Sequence, residues 1–224
     1  MTAQWDTVTI VGVGLIGGSA GLALAKRGAA KKIIGVGRSD SSLEAAKELG
    51  AISEGTTNIR EGVADADFVL VATRVSVIGN QLEEIDTCVR PGTPITDAGS
   101  TKQSIVDRWE QSRSSRKGRF VGSHPLAGSH KRGPQAADPA LFEDKLTVLT
   151  PVESTPQSDT QSISAFWQLI GAQVCHLSPS EHDRLLASAS HAPHIVAAAL
   201  AAATPREAHH FTAGGWRETP RVAA

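Results

Sequence analysis

Near its amino terminus the chain reads Val8-Thr9-Ile10-Val11-Gly12-Val13-Gly14-Leu15-Ile16-Gly17-Gly18-Ser19, and this stretch limits the possible folds more than any other. Val8 to Val11 are β-branched residues suited to a short buried strand, and residues 20–27 continue as a small-residue helix that ends at Gly28. Gly12, Gly14 and Gly17 fall between them in the G-x-G-x-x-G spacing. Gly12 allows the tight turn, Gly14 lets a pyrophosphate approach the backbone, and Gly17 lets the helix pack close against the strand. The phosphates then rest on the helix start, at the unpaired N–H groups around Leu15, Ile16 and Gly17, where the helix dipole favours negative charge. The stretch predicts a dinucleotide-binding turn.

The next elements extend this into an alternating pattern. Residues 32–37 read as a second strand and 41–49 as a helix, with Ser39, Asp40 or Ser41 as cap and Gly50 as stop. In this kind of unit an acidic residue at the end of the second strand ordinarily holds the ribose 2′-hydroxyl. Gly37, Arg38 and Ser39 stand there instead. A guanidinium and a hydroxyl suit a 2′-phosphate better than a bare diol, so NADP is the preferred cofactor and NAD the possible one. Strands follow over 67–73 and 94–97, with a helix from the 74–76 loop to about residue 85, so that Thr73 and Ser76 line the cleft. Residues 98–102 turn into a further helix, and 120–129 leave the next strand as a loop bounded by glycine and proline. Two more strands, 145–150 and 173–177, flank a helix over 157–170. Such alternation predicts an α/β fold with a doubly wound, mostly parallel sheet. Ligands bind beyond the carboxyl ends of its strands, where Gly12, Gly37, Thr73, Ser100 and His124 all fall.

Charge excludes one class of partner: 22 Lys and Arg against 23 Asp and Glu leave a net charge of -1, with no footprint for a nucleic-acid backbone. Cys88 and Cys175 are far apart and form no C-x-x-C, which fits a reducing compartment and two small buried hydrophobes. The apolar run 195–203 is too short to span a bilayer, so a soluble cytoplasmic protein without a membrane partner is expected. After residue 178 the pattern changes to one helix running to about residue 203, with Ser188, Ser190, His191, Pro193 and His194 inside a small, apolar run. At about 100° per residue, Asp183, Ser190 and His194 share one face of it. Two domains are expected, 1–178 for the dinucleotide and 179–224 as the start of a helical one. Too few residues follow this helix for a bundle, so the second domain reads as truncated, and the helix is expected either to pair with its copy across a two-fold interface or to belong to a fragment of a longer protein.

Six strings in register carry a resemblance. They are the glycine turn, Asp97-Ala98-Gly99-Ser100-Thr101-Lys102, Gly122-Ser123-His124-Pro125-Leu126-Ala127-Gly128-Ser129, His182-Asp183, Ser190-His191-Ala192-Pro193-His194, and Gly215-Trp216-Arg217-Glu218-Thr219-Pro220-Arg221-Val222-Ala223. Together they resemble the prephenate and arogenate dehydrogenases of tyrosine biosynthesis. The resemblance implies a Rossmann-type domain, a helical dimerisation domain, and nicotinamide-dependent oxidative decarboxylation of a cyclohexadienyl substrate by a homodimer. It implies His124 as the catalytic histidine, on a rigid loop, and Ser100 as the serine that hydrogen-bonds the ring hydroxyl and orients it. His194, with His191 as neighbour, and Arg221 would bind the substrate carboxylates. No metal is implied, although His182, Asp183, His191 and His194 are ligand types. Gly37-Arg38, His130, Glu218 and Pro220 depart from the family pattern. The other readings are a nucleotide-binding relative without turnover, and another small β-hydroxyacid or imine reductase.

Overall fold

The computed structural model describes residues 4–111, 116–129 and 131–219. They form two units, divided between Pro179 and Ser180. The first is built on an eight-stranded sheet. Its strands are β1 (Trp5–Val11), β2 (Ala30–Val36), β3 (Glu54–Thr56), β4 (Phe68–Val71), β5 (Pro94–Asp97), β6 (Arg119–Pro125), β7 (Leu146–Thr150) and β8 (Gln173–His176). They lie in the order β3-β2-β1-β4-β5-β6-β7-β8. Every neighbouring pair is parallel except β6 and β7. The first six follow the doubly wound order 3-2-1-4-5-6, whose direction of winding reverses between β1 and β4.

Helices α1 (Leu15–Arg27), α2 (Asp40–Glu48), α3 (Ile59–Val63), α4 (Val75–Cys88), α5 (Gln103–Gln111) and α6 (Gln157–Leu169) connect these strands. Two cores result. Leu24, Leu43, Phe166 and Trp167 from α1, α2 and α6 pack with Ile10 and Phe68 in one. Val63, Ile78, Leu82, Ile85 and Trp109 from α3, α4 and α5 pack with Val11 and Val69 in the other. β4 is buried at all four positions, which is why its sequence is uniformly apolar rather than alternating. The first core carries stacked Phe68 and Phe166 rings with centroids 4.3 Å apart, and the Trp167 edge against Phe166 at 5.3 Å. Each such pair adds about 0.5–1.5 kcal/mol beyond area burial.

Two features depart from the sequence expectation. β3 and α3 fill residues 54–63, where no element is predicted; β3 pairs along β2 and Asn58 caps α3 by accepting from the Arg60 N–H at 3.0 Å. His124 lies within β6 rather than on a loop. Antiparallel pairing with β7, His124 opposite Val148 and Pro125 opposite Thr147, holds the strand extended through both residues. Pro125 ends the element, where its missing donor costs least.

The second unit is dominated by one helical run, Pro179–Ala203. It consists of α7 (Pro179–Leu186), a π-helical turn over Ala187–His191 and α8 (Ala192–Ala203). Pro193 explains the wide turn: it has no N–H to give an i−4 carbonyl and its ring crowds the preceding turn, and the Ala192 N–H reaches Ala187 O instead. At 25 residues the run is long and apolar enough to cross a membrane by length and composition, whereas the 195–203 segment alone is not. A 3₁₀ turn (Arg206–Phe211) and α9 (Gly214–Glu218) follow, and the Trp216 indole N–H donates to Thr204 Oγ1 at 2.8 Å.

Candidate active site

Strand register assembles the site in the first unit. Val11 pairs with both Val36 and Val71, and Val71 pairs with Asp97, so four strands end level. Thr96 pairs with Val121, which places His124, three positions on, level with Gly99 beyond the end of β5. Residues 12–17, 37–39, 72–76, 98–101 and 124 therefore leave the same edge of the sheet, on both sides of the point where the winding reverses.

The glycine turn is built as its spacing requires. Gly12 has φ +99°, and a Cβ there would stand 2.6 Å from Ala72 O and 2.8 Å from Thr73 Cγ2, which puts Thr73 beside the turn. A Cβ on Gly17 would lie 2.0 Å from Gly12 O. Gly14 differs: nothing lies within 4 Å of a Cβ there, so its outer side is open. Bonding within α1 starts with the Gly18 N–H to Gly14 O at 2.7 Å, leaving the N–H groups of Leu15, Ile16 and Gly17 ahead of the ladder. The N-cap glycine offers no side-chain acceptor and the first turn has no acidic residue. An open, uncapped helix start with room for an anion fits a dinucleotide pyrophosphate.

Arg38 is exposed two residues after the end of β2, and Ser39 is the N-cap residue of α2, with its hydroxyl 3.1 Å from Ser42 Oγ. Thr73 is half-buried and reaches Gln81, and Ser76 is exposed in the first turn of α4. Ser100 is exposed in the turn between β5 and α5, and His124 is half-buried.

Sequence reasoning passed over the residues beneath this pair. Asp97 and Lys102 are fully buried and form an ion pair. Asp97 also accepts from two backbone N–H groups, Gly99 on Oδ2 at 2.8 Å and Ser123 on Oδ1 at 3.1 Å, while Lys102 Nζ donates to Ser123 O at 2.8 Å. The Ser123 hydroxyl donates to Asp97 O and accepts from the Trp167 indole N–H at 2.9 Å. Both charged residues stand in the string that contains Ser100, and their charge in an otherwise uncharged strand-to-helix junction was the available signal.

In the second unit, His191 is half-buried at the end of the π-helical turn and His194 is exposed on the first turn of α8. His182 Nδ1 lies 2.7 Å from Asp183 Oδ1. Arg221 lies outside the described residues, as do His130 and Pro220. Among the described residues no three His, Cys, Asp or Glu side chains are grouped to hold a metal ion.

With this geometry in hand, the similarities to known proteins can be placed on it. Residues 20–176 match the family model described as prephenate dehydrogenase, nucleotide-binding domain, and residues 178–224 match that described as prephenate dehydrogenase, dimerization domain. A prephenate dehydrogenase from Bacillus subtilis is 39% identical over 235 residues, covering all of this chain and 62% of the relative. One from Lactococcus lactis is 35% identical, and 60% of its length is covered, so the chain spans about three fifths of these relatives. Among solved structures, the prephenate dehydrogenase of A. aeolicus in complex with hydroxyphenyl propionate and NAD+ superposes with a TM-score of 0.86 at 32% identity, over 97% of this chain and 78% of that one.

Proposed function

The chain belongs to the prephenate dehydrogenase family, and on that premise we propose that it catalyses the nicotinamide-dependent oxidative decarboxylation of prephenate or arogenate. One observation carries the proposal: strand register brings His124 level with the turn that holds Ser100, at the same sheet edge as the open glycine turn.

Gly12, Gly14 and Gly17, with the N–H groups of Leu15 and Ile16, hold the pyrophosphate of the dinucleotide, and Thr73 and Ser76 line its cleft. The nicotinamide of the bound dinucleotide supplies the hydride acceptor. His124 takes the proton of the ring hydroxyl as the carbon beneath it gives up hydride, the role of a general base. Ser100 hydrogen-bonds the same hydroxyl and fixes the imidazole. The ring then loses carbon dioxide and becomes aromatic, which drives the step without a further catalytic group. Positioning is what the protein adds, and the family pattern assigns the substrate carboxylates to Arg221, whose guanidinium suits a bidentate pairing, and to His194 with His191 as its neighbour in sequence.

Arg38 and Ser39 support NADP as the preferred dinucleotide, since neither offers the carboxylate that a free ribose diol requires. The A. aeolicus relative holds NAD+. The helical unit, which matches the family's dimerization domain, supports a homodimer. The test is to incubate the chain with prephenate or arogenate and either NAD+ or NADP+, and to follow reduced dinucleotide at 340 nm together with release of carbon dioxide. Stoichiometric formation of both with one of the acids is expected, faster with NADP+. Dinucleotide binding without turnover on either acid would leave only a nucleotide-binding relative.

A further inference from the structure

Asp97 sits at the end of β5 and is fully buried, yet it is ionically paired, and its two carboxylate oxygens point to two different parts of the chain. Oδ2 accepts from the Gly99 N–H at 2.8 Å, one residue before Ser100. Oδ1 accepts from the Ser123 N–H at 3.1 Å, one residue before His124. Lys102 neutralises the carboxylate and closes the ring by donating to Ser123 O at 2.8 Å. We propose that Asp97 is a positioning residue, a buried two-pronged acceptor that sets the distance between Ser100 and His124, with Lys102 as its counter-ion. The proposal rests on Ser100 and His124 being the catalytic pair.

The alternative, that the ion pair merely supports the core, explains less of the geometry. A buried pair is replaceable by apolar residues at little cost or even a gain in stability, so stability alone gives no reason for it. A carboxylate offers what an apolar pair cannot: acceptors on both oxygens, each holding an N–H with a charge-assisted bond. In the turn over residues 98–101 the Ala98 N–H donates to Val71 O at 2.9 Å, and the next N–H, that of Gly99, is held by the Asp97 carboxylate at 2.8 Å. Burial also aligns the lysine with the catalytic strand. A Cβ on Gly122 would lie 3.5 Å from Lys102 Cδ and 3.2 Å from Val106 Cγ2, and His124, two residues on, leaves the same face of β6. On the opposite face the Ser123 hydroxyl is fixed by Trp167, so the backbone segment before His124 is held from both sides.

The test uses the double variant Asp97→Asn/Lys102→Met. It removes both charges together, keeps the side-chain volumes close, and leaves one accepting oxygen where two are needed. We expect it to fold and to bind dinucleotide within twofold of the parent, while kcat falls on the order of tenfold to a hundredfold, the cost of an ångström-scale misplacement of a reacting group. The C2–H signal of His124, assigned by its loss in His124→Asn, should move in the double variant. A folded double variant with kcat within twofold and an unmoved His124 signal overturns the proposal. If the parent chain turns over neither acid, the reading of Ser100 and His124 as catalytic has failed, and the His124 signal still decides whether Asp97 sets its position. Should the double variant not fold, amide exchange in the unaltered chain decides. Gly99 should exchange as slowly as the β5 amides, and exchange at the rate of an open loop overturns the proposal.

Discussion

His124 and Arg38 mark the two ends of the proposed cleft, and they fail differently when altered. His124→Asn keeps a hydrogen-bonding side chain of similar size but removes the base, so kcat should fall about a hundredfold or more while the dissociation constant for dinucleotide stays within twofold. Pre-steady-state and binding measurements on one preparation separate the two quantities, and unchanged turnover would remove His124 from the chemistry. Arg38→Ala should weaken NADP+ about tenfold to a hundredfold and leave NAD+ nearly untouched, because only the 2′-phosphate pairs with the guanidinium. Titration with both dinucleotides checks it; equal losses would mean that Arg38 does not read the phosphate. At this scale the exposed or half-buried residues of the cleft were legible in sequence, since each stands in a short string with a chemical reason. Asp97 was not recognised for its role: its partner N–H on Ser123 is 26 residues away and comes within reach only when β5 pairs with β6. Local spacing contains no record of that pairing.

Among the elements, the glycine turn gives a paired expectation with opposite signs. Gly14 has φ -79° and open space where a Cβ would go, so Gly14→Ala should leave stability within about 0.5 kcal/mol of the parent. The new methyl group then occupies the approach of the pyrophosphate, and dinucleotide affinity should drop about tenfold, equivalent to ~1.4 kcal/mol. Gly17→Ala pushes a Cβ to 2.0 Å from a backbone oxygen that cannot swing aside, so it should cost about 3 kcal/mol or more in urea unfolding. Equal effects of the two substitutions on stability would show that the turn does not use its glycines as proposed. The longer strands and helices were readable because four to fourteen residues establish a pattern. β3 has three residues and α3 five, too few for one, and they form because β2 offers a parallel edge and Asn58 a cap. His124 was predicted on a loop because glycine and proline bracket it, but the cross-strand partner Val148 overrides that local signal. The wide turn at Ala187–His191 follows from Pro193, whose presence was plain although its accommodation was not.

For the whole molecule the helical unit is set apart by the large apolar side chains it exposes. Ile195 and Val196 on α8 are 70% and 60% exposed, and Phe211 beyond it is 87% exposed. Side chains of this kind are worth about 1.5–3 kcal/mol each when buried, and a stable interface needs roughly 800 Å² per partner, more than three side chains supply. A two-fold axis doubles every contact, so α8 packed against its own copy brings two of each residue into one patch. Its small residues, with alanine at 197, 198, 199, 201, 202 and 203, let two helices approach closely. The match of residues 178–224 to a dimerization domain supports this arrangement. Ile195→Glu places a carboxylate, and its symmetry mate, in that patch, and burying two like charges without partners costs several kcal/mol. The parent chain should therefore sediment as a dimer at low micromolar concentration, and Ile195→Glu should shift the equilibrium to monomer by at least a hundredfold in dissociation constant. The whole helical run Pro179–Ala203, of which α8 is the last part, is long and apolar enough for a bilayer by length and composition, so flotation with neutral phosphatidylcholine vesicles belongs in the experiment. A parent chain that is monomeric at every concentration, or that floats with vesicles instead of dimerising, would show that α8 does not meet its copy.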